Sequence, residues 1–256
     1  MIVIDVGQGD SILLHLNQKT VLIDTGGKVS FSKEEWQKRE TKSMTDTKLV
    51  PLLKSLGIKK LDYLTLTHGD YDHMGEAIHL VENFKVDNVI LNQGDYNELE
   101  TGLIKTLDKK KITYYKGLKE LYIDKYKLQF LNTKIYDNEN DNSNVIYTDI
   151  DGVKMMFMGD AGVEKEKDIV TKYHLKDIDF LKVGHHGSDT SSSSEFINRI
   201  SPKYSLISVG KNNRYHHPKE SVLDTLSNSK VYRTDMDGSI EIKLNDNGYK
   251  IRTYQP

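Results

Sequence analysis

The chain opens with short apolar runs separated by polar turns: Met1–Val6, Ser11–Leu16 and Thr20–Asp24, the last two joined across Asn17-Gln-Lys19. This spacing predicts hairpin strands. Residues 28–48 are polar and charged, with Lys33–Glu40 expected as a short helix or a mobile excursion. Helical spacing returns at Leu49–Leu56 and stops at Gly57. Leu61–Thr67 then predicts a strand, Met74–Phe84 a helix and Asn88–Leu91 the next strand. In this unit the polar segment His68–His73 leaves the carboxyl end of the first strand, where open α/β sheets commonly place their sites. Residues 95–140 carry little pattern, and Lys109-Lys-Lys111, Lys116 and Lys119 are expected to form a solvated face. After the Asp/Asn-rich loop at 137–144, Val145–Thr148 and Val153–Met158 predict a hairpin ending at Gly159-Asp160. A helix at Val163–Tyr173, a strand at Phe180–Val183, another helix, a strand at Tyr204–Val209 and short strands at Lys230–Arg233 and Ser239–Leu244 follow. No repeat of solenoid period is present. Each half begins with strands and ends its strands in Asp- or His-bearing loops. That predicts two sheets packed face to face with helices outside.

Composition narrows the class. The 256 residues suit one large domain or two small ones. Basic residues number 36 and acidic ones 38, a net charge of −2, and 37% of the chain is hydrophobic. This is the balance of a globular protein, not a disordered one. No apolar stretch is long enough to span a membrane. Met1–Leu14 carries Asp5 and Asp10 and reads as a strand rather than a signal peptide. Cysteine is absent, which excludes disulfides, thiolate catalysis and Cys-bound zinc. The near-neutral balance excludes a generally basic nucleic-acid coat, so any such contact is a local patch.

The chemistry concentrates at strand ends. Thr67-His68-Gly69-Asp70-Tyr71-Asp72-His73 packs two imidazoles and two carboxylates into six residues. Both are good ligands for Zn²⁺, Mn²⁺ or Fe²⁺ when a tight loop gathers them. A polar loop with Asp72 capping the following helix is the alternative. Asp160 ends a hydrophobic strand, a poor place for a carboxylate unless a cation or donors meet it. His185-His186 and His216-His217 end the next two strands. One dinuclear centre accounts for all of these at once.

Asp5-Val-Gly-Gln-Gly-Asp-Ser11, Leu22-Ile-Asp-Thr-Gly-Gly27, Thr67–Gly75, Met158-Gly-Asp-Ala161 and Lys182-Val-Gly-His-His-Gly-Ser188 resemble the metallo-β-lactamase superfamily. Within it they are most similar to the soluble C-terminal domain of the ComEC/Rec2 competence proteins. Val209–Pro218 and Tyr232–Ile240 resemble that branch as well, so the resemblance covers nearly the whole chain. It implies an α/β, αββα four-layer sandwich formed by a single hydrolase domain over residues 1–256. It also implies two divalent ions, Mn²⁺ or Zn²⁺. His68 and Asp70 would bind one, Asp72 and His73 the other, and Asp160 would bridge both. Asp70 stands where the wider superfamily has His. Asn142 or Asn144 stands in for a His that usually precedes the bridging Asp. The final ligand is expected at His217, with His185 and His186 sharing ligand and catalytic duties and Asp72 also counted as catalytic.

Weaker expectations complete the set. Asp24 is a candidate to orient a His ligand. Asn213, Arg214 and Ser188 are candidate phosphate contacts. Asp5, Gln8 and Asp10 are expected to be structural, and Trp36 and most tyrosines to serve packing. Two ions about 4 Å apart share a water and lower its pKa toward neutrality. The expected activity is therefore metal-dependent phosphodiester hydrolysis through a bridging hydroxide. The resemblance adds single-stranded DNA as substrate, in DNA uptake. Alternatives are a small phosphodiester, such as a choline-phosphate or nucleotide ester, and a metal-depleted DNA-binding domain. A fragment of a competence protein would sit beside its membrane channel on the outer face of the cell membrane. A free-standing protein would be cytoplasmic.

Overall fold

The inner strands of this chain, Lys19–Ile23 and Phe180–Lys182 among them, are buried on both faces because each sheet is covered on both sides. The computed structural model describes residues 1–27, 42–245 and 248–255; the expected helix or excursion at Lys33–Glu40, with Trp36, lies outside them. The first half runs β1 (Ile2–Val3), β2 (Ile12–Leu16), β3 (Lys19–Ile23), α1 (Val50–Ser55), β4 (Leu61–Thr65), α2 (Tyr71–Met74), α3 (Ala77–Asn83), β5 (Val86–Leu91), α4 (Glu98–Lys110) and β6 (Thr113–Lys116). The second runs β7 (Glu120–Ile123), β8 (Tyr126–Phe130), β9 (Ile146–Ile150), β10 (Val153–Phe157), α5 (Val163–Lys172), β11 (Phe180–Lys182), α6 (Ser194–Ile200), β12 (Tyr204–Ile207), α7 (Glu220–Thr225), β13 (Lys230–Arg233) and α8 (Thr234–Asp237). Two strands, β14 (Ser239–Asn245) and β15 (Gly248–Tyr254), close the chain. One sheet has the order β15-β14-β1-β2-β3-β4-β5-β6, the other β13-β12-β11-β10-β9-β8-β7.

Period-two alternation sorts side chains between three cores. In β3, Val21 and Ile23 join the layer between the sheets, while Leu22 turns outward with Leu49, Leu53, Leu80 and Leu103 under the helices. In β10, Met155 and Phe157 point inward, and Met156 packs outward with Ile169, Phe196 and Val222. The result is a helix–sheet–sheet–helix sandwich, the architecture expected from the sequence.

Three departures matter. The helix expected at Met74–Phe84 is two, α2 and α3, broken at Gly75-Glu76. The carbonyl of His73 accepts from Thr25 N–H at 2.7 Å, so it cannot carry the helical ladder forward. The break lets α2 present Asp72 and His73 beside the end of β3. The weakly patterned middle holds α4, started by a capping box: the Asn97 side chain accepts from Leu99 and Glu100 N–H, and Glu100 Oε2 accepts from Asn97 N–H. Finally, β15 was not anticipated; it pairs antiparallel with β14 at the edge of the first sheet.

The strands whose carboxyl ends carry the chemistry run parallel to their neighbours, β3 with β4 and β10 with β11 and β12. The ends of both parallel sets therefore meet at one rim.

Candidate metal centre

His68 follows β4 and is fully buried. Its Nδ1 contacts Thr67 Oγ1 at 3.1 Å, while its Nε2 has no hydrogen-bond partner. That nitrogen faces Asp70 Oδ2 at 3.5 Å and Asp160 Oδ2 at 3.8 Å. His73 is also fully buried. Its Nδ1 meets Asp24 Oδ2 at 2.8 Å, leaving Nε2 turned to Asp160 Oδ1 at 3.0 Å. Asp24 is fixed in turn by Thr67, whose N–H and hydroxyl donate to its two oxygens at 2.8 and 2.7 Å. Asp160 is thus approached by His68 through one oxygen and by His73 through the other.

The His185-His186 pair divides between the two sides. Both residues have positive φ, 46° and 54°, in a short turn after β11. Non-glycine residues in that region carry strain, which gathers where a site needs it. His186 points inward: its Nε2 lies 3.2 Å from Asp72, 3.3 Å from His73 Nε2 and 3.8 Å from Asp160 Oδ1. His185 sits at the mouth, 28% exposed, with Nε2 3.6 Å from Asp160 Oδ2 and Nδ1 2.9 Å from Thr190 Oγ1.

Among the described residues, donor atoms within 4.8 Å of one another occur in His68/His73/Asp160, Asp72/His73/His186 and Asp10/Asp24/His73. The third group backs His73 through Asp24 and does not open a separate site. His217, expected as the last ligand, belongs to none of these groups. Its ring lies 5.9 Å from that of His185, with Nδ1 buried and unpartnered. His216 is exposed, also with positive φ. Strand order pointed to His217; its unpartnered Nδ1 stands beside His185, outside these three groups.

The remaining candidates are placed as follows. Asn142 spends both amide atoms on the backbone of Tyr136, at 2.9 Å each. Asn144 donates to Leu66 O at 2.9 Å and accepts from Asn132 at 3.2 Å, tying the end of β4 to the second sheet. Neither amide is free to face the centre. Asn213 holds the His217 backbone through both amide atoms. Arg214 is exposed and lies over the Tyr215 ring at 5.2 Å. Ser188 Oγ accepts from the Thr190 hydroxyl at 3.0 Å, behind His185.

Electrostatics mark a pocket short of positive charge. Burial opposes charge on His186, yet Asp160, Asp10 and Asp72 outweigh it and push the imidazole up to about 10. His73 is likewise raised against burial, by Asp160 and Asp24. Burial opposes charge on Asp72 too, but His186 and His73 pull it down to about 2. By contrast, burial and the neighbouring His186 and His185 lower His217 to about 4.

The donor set fits divalent cations. It offers nitrogen and oxygen on two sides of one carboxylate, and His68 Nε2 is buried without a hydrogen-bond partner. Such orphaned groups are rare in folded proteins and call for an ion or ligand.

Sequence reasoning missed Lys182 and Glu139 and took Asp10 as structural. Asp10 and Lys182 form a buried ion pair at 2.7 Å beside His186. The signal was a lysine inside the apolar run Phe180-Leu181-Lys182-Val183. Glu139 accepts from Gly69 N–H at 2.9 Å and steadies the loop between His68 and Asp70.

A four-layer sandwich with a His/Asp cluster at its shared rim defines the class of hydrolases built on this fold. The chain belongs to the metallo-β-lactamase superfamily, whose family model matches residues 4–211. Membership implies divalent-metal binding. The chain is 35% identical over 263 residues to ComE operon protein 3 of Bacillus subtilis, covering 99% of this chain and 34% of that protein. It is 30% identical over 265 residues to competence protein ComA of Neisseria gonorrhoeae, covering 98% and 33%. The chain thus spans about a third of the length of these curated relatives. Among solved structures, the metallo-β-lactamase fold protein YhfI from Bacillus subtilis superposes with a TM-score of 0.57 at 13% identity, over 91% of this chain and 95% of that one. Among the described residues, no helix is long and apolar enough to cross a membrane.

Proposed function

We propose that this chain is a metal-dependent phosphodiesterase that cleaves DNA, single-stranded in the context of DNA uptake. The observation that carries the reading is Asp160, a buried carboxylate shared between two donor sets. His68, Asp70 and Asp160 would hold one cation; Asp72, His73, His186 and Asp160 would hold the other. When bound, such a pair lowers the pKa of water and neutralises charge on a phosphate. The oxygen-rich, thiolate-free donor set suits Mn²⁺ as well as Zn²⁺.

The chain's own residues do the rest. Asp24 and Thr67 fix the His73 ring, so its Nε2 cannot swing away. His185 stands at the mouth with Nδ1 against Thr190, the imidazole best placed to pass a proton to a leaving oxygen. The loop after β12 brings Lys211, Arg214 and Lys219 to the same edge as His217, local positive charge suited to an anionic backbone. The competence relatives favour DNA over other phosphodiesters. The resemblance to the competence branch is what supports a membrane channel as partner and a place outside the cytoplasmic membrane.

The near-neutral net charge of −2 favours a second reading, a small phosphodiester such as a nucleotide ester. The test is Mn²⁺-loaded protein given labelled single-stranded DNA and, in parallel, bis-p-nitrophenyl phosphate. Cleavage of both supports the nuclease reading. Turnover of the small ester with DNA left intact removes it.

A further inference from the structure

Lys182 ends β11 with no exposed surface, directly beneath the cluster, and no step above uses it. Its Nζ lies 2.7 Å from Asp10 Oδ2 and donates to Val183 O at 2.9 Å. The other Asp10 oxygen has no hydrogen-bond partner and lies 3.5 Å from His186 Nδ1. That nitrogen is 2.9 Å from Ser208 O. Both neighbours of Nδ1 are acceptors, so Nδ1 carries a proton, while Nε2 faces Asp72 and Asp160, where a bound cation would take its lone pair. Asp10 is anchored to the same cluster by its backbone N–H, which donates to Asp72 O at 3.1 Å. Gly9 makes that approach possible: at φ +126° an added Cβ would collide with the Asp72 carbonyl.

We propose that Asp10 and Lys182 are a positioning pair for the metal-facing imidazole of His186, an inference that rests on the reading that His186 faces a bound cation. Asp10 backs the ring at its Nδ1 edge, beside the Ser208 carbonyl that takes the Nδ1 proton. Lys182 holds Asp10 in one rotamer and keeps its charge from adding to an already acidic centre. Asp10, Asp24, Asp70, Asp72 and Asp160 bring five carboxylates to this region. Two divalent cations would answer four of those charges, and Lys182 answers the fifth. The ion pair is costly to bury, and a purely structural role is met as well by an apolar pair.

The double variant Asp10→Asn/Lys182→Met removes both charges without stranding either one. It is expected to keep the wild-type circular dichroism spectrum. Calorimetric titration with Mn²⁺ should show one of the two binding events lowered roughly 10–100-fold. Wild-type Mn²⁺ affinity in a folded double variant overturns the proposal and leaves the metal centre standing. Wild-type protein that takes up no Mn²⁺ overturns the metal reading itself, and this inference with it. If the double variant does not fold, Lys182→Arg, which keeps the charge but displaces Asp10, is titrated instead. Mn²⁺ affinity lowered in the folded Lys182→Arg protein supports the pair, and wild-type affinity overturns it.

Discussion

His73 Nδ1 and Asp24 Oδ2 meet at 2.8 Å across 49 residues of chain, both side chains fully buried. With Nδ1 held there, His73 Nε2 has one direction open, toward Asp160. The contact links the ends of β3 and α2 and fixes one nitrogen of the proposed centre. Asp24→Asn should keep the fold and weaken Mn²⁺ or Zn²⁺ binding roughly 10–100-fold, as loss of an orienting carboxylate does elsewhere. Calorimetric titration checks this, and unchanged affinity would show that Asp24 serves only the turn.

Asp160 lies between the donor sets, so removing it should empty both. Asp160→Ala is expected to fall from two metal equivalents per chain to below one, with hydrolysis abolished. Elemental analysis after refilling with Mn²⁺ reads the first, and turnover of bis-p-nitrophenyl phosphate the second. Asp72→Ala should lose one equivalent and activity with it. Retained turnover in both variants would refute the metal assignment.

His186 and His217 should separate cleanly. His186 Nε2 is 3.2 Å from Asp72, whereas His217 is in none of the donor groups among the described residues. Elemental analysis should find His186→Ala short of one equivalent and His217→Ala with both. The opposite result would restore the ligand that strand order suggested.

Lys165 supplies a pH signature away from the donor set. Its Nζ donates to Ser143 O at 2.5 Å in a fully buried site, and burial lowers its pKa to about 7, against the pull of Asp141 and Asp168. The unfolded chain binds a proton there up to about 10.4, so between these values it holds more protons than the native state. Stability therefore rises with pH across that window, by up to about 1.4 kcal/mol per pH unit from this group. Urea melts at pH 7.5 and 9 should give wild type a slope of stability against pH more positive than that of Lys165→Met, the raised His73 and His186 adding the same opposite slope to both proteins. Equal slopes in the two proteins would place the Lys165 charge in solvent.

The two-sheet sandwich was legible from the apolar runs of both halves, Thr20–Asp24 and Val153–Met158 among them, and from the Asp- and His-bearing loops that end them, because a strand apolar on both faces must be covered on both. α4 escaped notice although its capping box, Asn97 with Glu100, is a local signal. The strand β15 was visible in the alternation of Tyr249, Ile251 and Thr253, but its weak apolar content blurred it. The break between α2 and α3 had no local signal strong enough, since it comes from Thr25 taking the His73 carbonyl.

Local chemistry belongs to the sequence: imidazoles and carboxylates at strand ends, the order of the motifs and the absence of thiolate are all written along the chain. Which nitrogen points where is not. His186 rather than His217 faces Asp72 because the left-handed turn after β11 aims it there. Lys182 answers Asp10 because β11 and the turn before β2 come from different sheets and meet only once those sheets pack. A side chain's direction depends on backbone torsions and long-range packing, and only the tertiary structure fixes both.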